Sequence, residues 1–135
     1  MMRGLNRVEI MGNLGADPEM RYTPTGRPVT QFRVAVHRRW RNADGEPQEK
    51  VEWFRVVAWG RQAEIANQFL EKGAPVYVEG RLATRSYEDA SGQTRYISEV
   101  IARDLILLPR GNGRADHPEE VLEEVEDGET AEIPF

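Results

Sequence analysis

The sequence predicts an all-β domain, a five-stranded Greek-key barrel with one helix between the third and fourth strands. Five segments alternate apolar and polar residues with the period of two that is typical of half-buried strands. A single segment has helical spacing, and it lies after the third strand segment. Turn residues separate the strand segments, and this order of elements is the one that such a barrel requires.

The first three strands precede the helix. Residues 5–14 hold the first strand, around Val8-Glu9-Ile10-Met11, and a short strand is predicted at residues 21–23. Residues 29–40 form the second long strand, in which one parity is mostly apolar: Thr30, Phe32, Val34 and Val36. A loop at residues 42–47 carries the turn signal Asp-Gly. Residues 51–59 then form a third strand, rich in β-branched and aromatic residues.

The helix and the last two strands follow. Residues 60–73 predict about three helical turns, with Gly73 as the C-cap. The apolar residues of that segment recur at helical spacing: Ile65, Phe69 and Leu70. Residues 75–87 return to strand alternation, residues 89–94 form a hairpin loop, and residues 95–108 form the last long strand.

The chain divides into one domain and a tail. Residues 1–108 are predicted to form the barrel, residues 109–118 a short linker, and residues 119–135 an acidic protein-interaction tail. Residues 118–126 have the spacing of one or two helical turns, but a segment this short and acidic is also typical of disorder. Both interpretations of the tail remain open.

Charge is distributed unevenly along the chain. Residues 1–115 carry all 18 Lys and Arg with 14 Asp and Glu, a net charge of +4. Residues 116–135 carry nine acids and no Lys or Arg, and they end in Ile133-Pro134-Phe135. A basic body suits a polyanion, and an acidic tail with an apolar tip suits a basic pocket on another protein.

Several classes of protein are excluded or disfavoured. Without cysteine there is no disulfide, thiolate zinc site or cysteine nucleophile. No segment has the apolar length of a signal peptide or membrane span, which predicts a soluble, cytoplasmic protein. His37 and His117 have no ligand or catalytic partner nearby in sequence, and residues 12–15 lack the Lys-Ser/Thr of a P-loop. We therefore expect no enzyme, cofactor or metal.

Aromatic residues beside arginines are the strongest functional signal. The aromatics in question lie on predicted strands: Trp40, Trp53, Trp59 and Tyr87. Arg55 shares the parity of Trp53, and Arg85 shares that of Tyr87. Bases of single-stranded nucleic acid stack on such rings, while arginines contact phosphates, and stacking on any base predicts weak sequence preference. The structural alternative is that these rings fill the core or a protein interface.

Combined motifs resemble the bacterial single-stranded DNA-binding proteins over residues 5–108 and again at the last residues. They are Asn6-Arg7-Val8, Gly12-Asn13-Leu14-Gly15-Ala16-Asp17-Pro18-Glu19, Arg21-Tyr22, Glu52-Trp53-Phe54-Arg55-Val56-Val57, Lys72-Gly73, Val76-Tyr77-Val78-Glu79-Gly80-Arg81-Leu82 and Ile133-Pro134-Phe135. The resemblance implies an OB-fold barrel, assembly as a homotetramer, binding of single-stranded DNA without sequence specificity, and roles in DNA replication, recombination and repair.

The resemblance also implies roles for individual residues. Its stacking positions correspond to Trp40, Trp53, Trp59 and Tyr87, and its phosphate-contacting positions correspond to Arg3, Arg21, Arg55, Arg61, Lys72 and Arg85. Replication and repair proteins are expected to bind the end of the tail, through Glu132, Ile133, Pro134 and Phe135.

Three alternative functions would place the protein in another class. A scaffolding barrel would use the aromatic residues in protein interfaces, and the terminal Ile-Pro-Phe argues against it. A cold-shock type of RNA-binding barrel would be shorter and would carry closely spaced aromatic motifs. A nuclease would need a convergent set of reactive groups, which the scattered acids of the body do not provide.

Overall fold

The computed structural model describes residues 1–110. Its elements, in chain order, are β1 (Val8–Leu14), β2 (Glu19–Tyr22), β3 (Pro28–Arg41), β4 (Pro47–Trp59), α1 (Arg61–Phe69), β5 (Pro75–Glu88) and β6 (Thr94–Leu107). The predictions made for residues 111–135, including the tail and its end, lie outside the described residues.

The strands form one sheet that closes on itself. Its order is β1-β5-β6-β4-β3-β2, and β1 also pairs with β3 at Asn13 and Leu14. That second pairing closes β1, β5, β6, β4 and β3 into a barrel of five strands, while β2 pairs with β3 alone. With α1 between the third and fourth barrel strands, this arrangement confirms the predicted five-stranded OB-fold barrel.

Alternation along the strands builds the barrel core. On β3, the side chains that face the core include Phe32 and Val34, as the alternation predicted. On β4, Val56 and Ala58, which pair with residues of the same parity on β3, also face the core. Helix α1 packs on the barrel through Ala63 and Ala66, both fully buried. The Thr30 hydroxyl donates a hydrogen bond of 2.8 Å to the Ala63 carbonyl, which satisfies a buried polar group and fixes the helix to β3.

The predicted end of the helix was wrong. The helix ends at Phe69, and the capping residue is Leu70, whose backbone is extended and whose N–H donates to the Ala66 carbonyl. Leu70 belongs to the buried core, so the chain leaves the helix where its side chain joins the barrel. Gly73 instead ends the following turn with φ +87°, and its N–H donates to the Leu14 carbonyl.

Two glycines permit close backbone contacts in the barrel wall. A Cβ atom on Gly12 would lie 2.2 Å from the Ala35 carbonyl oxygen, where β1 meets β3. A Cβ atom on Gly80 would lie 2.0 Å from the Ile101 carbonyl oxygen, beside the register shift between β5 and β6. Both neighbours are backbone atoms, so these positions require glycine.

Candidate nucleic-acid interface

The outer face of the sheet is defined by the residues that alternate with the core. Since Val56 and Ala58 point into the barrel, Arg55, Val57 and Trp59 point out. Strand pairing places Arg33 opposite Arg55 and Ile101 beside Val57. We call this surface the outer face, and it comprises Gln31, Arg33, Trp53, Arg55, Val57, Trp59, Ala83, Arg85, Tyr87, Glu99 and Ile101.

A buried carboxylate lies in the middle of the outer face. Glu99 on β6 is 2% exposed, and it accepts hydrogen bonds from arginines on two other strands. The Nε of Arg55 donates to Oε2 at 3.1 Å, and Arg85 donates through Nε and Nη2 at 3.1 to 3.2 Å. Two of the predicted phosphate ligands therefore share one buried partner.

The same network continues across the sheet to β2. The Nη2 of Arg55 donates to Gln31 Oε1 at 2.6 Å, and Gln31 Nε2 donates to Glu19 Oε1 at 3.2 Å. Arg21 donates to Glu19 Oε2 at 2.8 Å. Both hydrogen bonds lower the pKa of Glu19, and the one from Arg21 has the larger effect. A third predicted phosphate ligand, Arg21, is thus joined to Arg55.

Trp53 presents its ring to solvent on this face. The residue is 50% exposed, and the Arg33 guanidinium carbon lies 5.4 Å from its ring centroid. Its ring edge contacts the backbone of Gly15, where a Cβ atom would lie 2.4 Å from Cζ3. A cleft of about 280 Å³ opens beside the ring, and Asp17, Glu19, Gln31 and Arg55 also line it. The geometry offers a fixed aromatic surface next to basic groups, which suits a stacked base.

Tyr87 lies near the end of β5, on the parity of Arg85, and is 48% exposed. The turn after it is tightly held: Asp89 accepts hydrogen bonds from Ser91, Gln93 and Arg95. The Arg95 hydrogen bond, helped by those of Ser91 and Gln93, lowers the pKa of Asp89 to about 2. The carboxylate therefore stays ionised, and keeps accepting these hydrogen bonds, at more acid pH than an ordinary Asp would.

Trp40 occupies a different surface from Trp53. It has the parity of the core residues Phe32 and Val34, but its part of the β3–β4 hairpin carries mostly exposed residues. The ring is 39% exposed, and the Arg38 guanidinium carbon lies 4.5 Å from its centroid. Stacking at Trp40 stays a prediction, and it would involve the opposite side of the ribbon from Trp53.

Trp59 lies on the outer face but is only 7% exposed. It packs with Val29, Val57 and Ile101, and the Arg27 guanidinium carbon lies 4.8 Å from its ring centroid. A base could stack on this ring only after the Arg27 side chain moved away. Stacking at Trp59 therefore also stays a prediction. The alternation of the strand did not indicate that this ring would be buried.

The remaining predicted cations lie on other parts of the body. Arg3 precedes β1, Arg61 begins α1, and Lys72 lies in the turn after the helix; all three are exposed. The backbone N–H of Lys72 donates to Asp17 Oδ1, and Asp17 lines the cleft beside Trp53. The phosphate-contacting role of these three residues stays a prediction.

Sequence reasoning missed several residues that contact the predicted ones. The structure adds two arginines over tryptophan rings and two members of the polar network: Arg27, Arg33, Gln31 and Glu99. A signal existed for Glu99, because an acid followed by Val-Ile-Ala in a strand is seldom buried without a cationic partner. Nothing in the sequence identified which arginines would be the cationic partners of Glu99.

Residues 1–110 contain neither a cluster of metal-binding side chains nor a helix that could cross a membrane. No group of three or more His, Cys, Asp or Glu is placed to hold a metal ion in this part of the chain. Among the same residues, no helix has the length and apolar character needed to cross a membrane.

The barrel and its outer face, with exposed rings beside ordered arginines, define an oligonucleotide-binding type of domain. The model of the family described as "Single-strand binding protein family" matches residues 5–108. Single-stranded DNA-binding protein 1 of Chlorobaculum tepidum is 43% identical over 120 residues, which cover 86% of this chain and 74% of the relative. The chain therefore belongs to the single-strand binding protein family. Membership of this family of binding proteins confirms the prediction that it is not an enzyme.

A solved structure extends the comparison to a bound nucleic acid. A Plasmodium falciparum SSB, described as a complex with ssDNA, matches with a TM-score of 0.76 and 30% sequence identity. The match covers 81% of this chain and 99% of that one. The likeness confirms the fold, and its 81% coverage includes most of the barrel.

Proposed function

We propose that this protein binds single-stranded DNA without sequence specificity and protects it during replication, recombination and repair in the cytoplasm, at the nucleoid. The observation that carries the proposal is the outer face, where the exposed rings of Trp53 and Tyr87 flank the Arg55–Glu99–Arg85 cluster. Family membership and the ssDNA-bound relative support it.

The proposed mechanism needs no chemical step. Bases that are unpaired can stack on aromatic side chains, and each such contact contributes about 1–3 kcal/mol. Guanidinium groups neutralise the phosphates and release counterions, so the affinity falls as salt rises. Because bases in a duplex are already stacked and paired, such a surface selects single strands.

The test is a tryptophan-fluorescence titration with oligo(dT) of about 70 nucleotides, at low and high salt. We expect strong quenching that saturates at a fixed number of nucleotides per chain, resists competition by duplex DNA and weakens with salt. Absence of quenching and of binding at low salt would refute the proposal and assign the exposed rings to protein interfaces.

We further propose that the protein is a homotetramer. Strand β1 pairs with β5 over Val8–Asn13, but with β3 only at Asn13 and Leu14. Within residues 1–110, the stretch 8–12 therefore leaves one strand edge unpaired, and a second copy could extend the sheet there. Light scattering should give four times the chain mass, and a monomer or dimer mass at micromolar concentration would contradict this proposal.

The tail supports a proposal on partners. Residues 119–135 combine eight acids with the apolar end Ile133-Pro134-Phe135, and Glu132 directly precedes Ile133. We propose that these last residues bind a basic, apolar-floored pocket on replication and repair enzymes. The acids then speed association and make it salt-dependent.

Replacing Phe135 by alanine should weaken tail binding at least tenfold, since the ring is the largest apolar group of the anchor. The measurement is fluorescence anisotropy of a labelled 119–135 peptide with a purified replication or repair enzyme. Val121→Ala, in the same peptide, is the matched control because it removes apolar surface away from the proposed anchor. Equal losses for both variants would contradict a specific pocket for Phe135.

A further inference from the structure

We propose that Glu99 is a positioning residue for DNA binding, which holds Arg55 and Arg85 in the orientation that phosphates require. The inference rests on the proposed function, because it assigns these arginines to phosphate contacts. Glu99 itself, 2% exposed, does not touch the nucleic acid in this scheme.

The position of Glu99 is otherwise unfavourable for a DNA-binding surface. A carboxylate beneath a bound polyanion repels it, and a buried carboxylate is costly without cationic partners. The structure supplies two such partners from neighbouring strands, Arg55 on β4 and Arg85 on β5. The cluster keeps one net positive charge, so it can still attract a phosphate.

The contacts leave part of each guanidinium available. Arg55 uses Nε and Nη2, and Arg85 also uses Nε and Nη2. Within residues 1–110, Nη1 of neither arginine has a hydrogen-bond partner, although the group carries five N–H donors in all. Their side chains are 29% and 27% exposed, so both side chains are partly open to solvent.

Holding these groups before DNA arrives lowers the cost of binding. A long arginine side chain loses rotamer freedom when it binds a phosphate. Because the Glu99 carboxylate has already ordered Arg55 and Arg85 in the folded protein, that loss occurs on folding rather than on binding. Gln31 extends the same support to Nη2 of Arg55, at 2.6 Å.

Two variants separate positioning from charge. Glu99→Asp keeps the charge but withdraws the carboxylate by one methylene, so it cannot reach both arginines. Glu99→Gln keeps the length but removes the charge. If Glu99 positions the arginines, Glu99→Asp should weaken oligo(dT) binding at least about fivefold at moderate salt. If Glu99 acts by charge alone, Glu99→Asp should bind like the unmodified protein while Glu99→Gln binds more tightly at low salt, and that pair of results overturns the inference.

A double-mutant cycle separates positioning from general loosening of the fold. In an Arg55→Met/Arg85→Met background, Glu99→Asp should cause no further loss of affinity, because the groups that it acts through are gone. The same loss in both backgrounds would overturn the inference. Glu64→Asp on α1, an exposed residue away from the outer face, is the matched control.

A measurement on the unmodified chain keeps the inference testable if a variant does not fold. NMR order parameters of the Arg55 and Arg85 Nε–H groups should match rigid backbone, about 0.85, before DNA is added. Values below about 0.6 that rise on oligo(dT) binding would overturn the inference. Failure of the unmodified protein to bind oligo(dT) would instead refute the proposed function, so the two failures are distinguishable.

Discussion

Replacing Trp53 by alanine is expected to weaken binding of a short oligo(dT) by about 5- to 150-fold. Its ring is half exposed beside the cleft, and loss of one stacked base costs about 1–3 kcal/mol. The removal also leaves Arg33 without the ring that it covers at 5.4 Å. Anisotropy of a labelled oligonucleotide is the measurement, since the variant also loses part of the fluorescence signal.

The matched control is Tyr96→Ala on β6. Tyr96 is 74% exposed but has the opposite parity from Glu99, so its ring lies off the outer face. Removing it should change the affinity by less than about twofold, in keeping with a surface residue outside the site. Similar losses for Trp53→Ala and Tyr96→Ala would argue against a defined stacking position at Trp53.

Replacing Gly80 by alanine is expected to lower the midpoint of thermal unfolding by about 5–20 °C. The new Cβ would lie 2.0 Å from the Ile101 carbonyl oxygen, and backbone atoms at a bulge cannot move aside freely. Overpacking of this kind costs about 1–3 kcal/mol, and each kcal/mol lowers the midpoint by about 4–8 °C in a domain of this size.

Thermal unfolding followed by circular dichroism tests this expectation. Gly4→Ala is the matched control, because nothing lies within 4 Å of a Cβ atom there and its φ is not positive. That variant should unfold within about 2 °C of the unmodified protein. An equally small shift for Gly80→Ala would show that β5 and β6 separate more readily than their register indicates.

The order of elements could be predicted from the sequence because it depends on local periodicity. Strand alternation on β3 identified Phe32 and Val34 as core, and the change to helical spacing placed α1 after β4. The same parity showed that Trp53 and Arg55 share a face. The end of the helix could not be predicted in this way, since burial of Leu70 in the barrel, a tertiary contact, ends it.

The sequence by itself determined the class of fold, the position of the helix and the presence of aromatic rings beside arginines, because alternation and composition are carried by neighbours in the chain. Only the tertiary structure decided which of those rings are accessible and which charges meet. Trp59 is buried by Val29 and Ile101, which lie 30 and 42 residues away in the chain. Glu99 joins Arg55 and Arg85 because β6 pairs with both β4 and β5, which brings together strands that lie far apart in the chain.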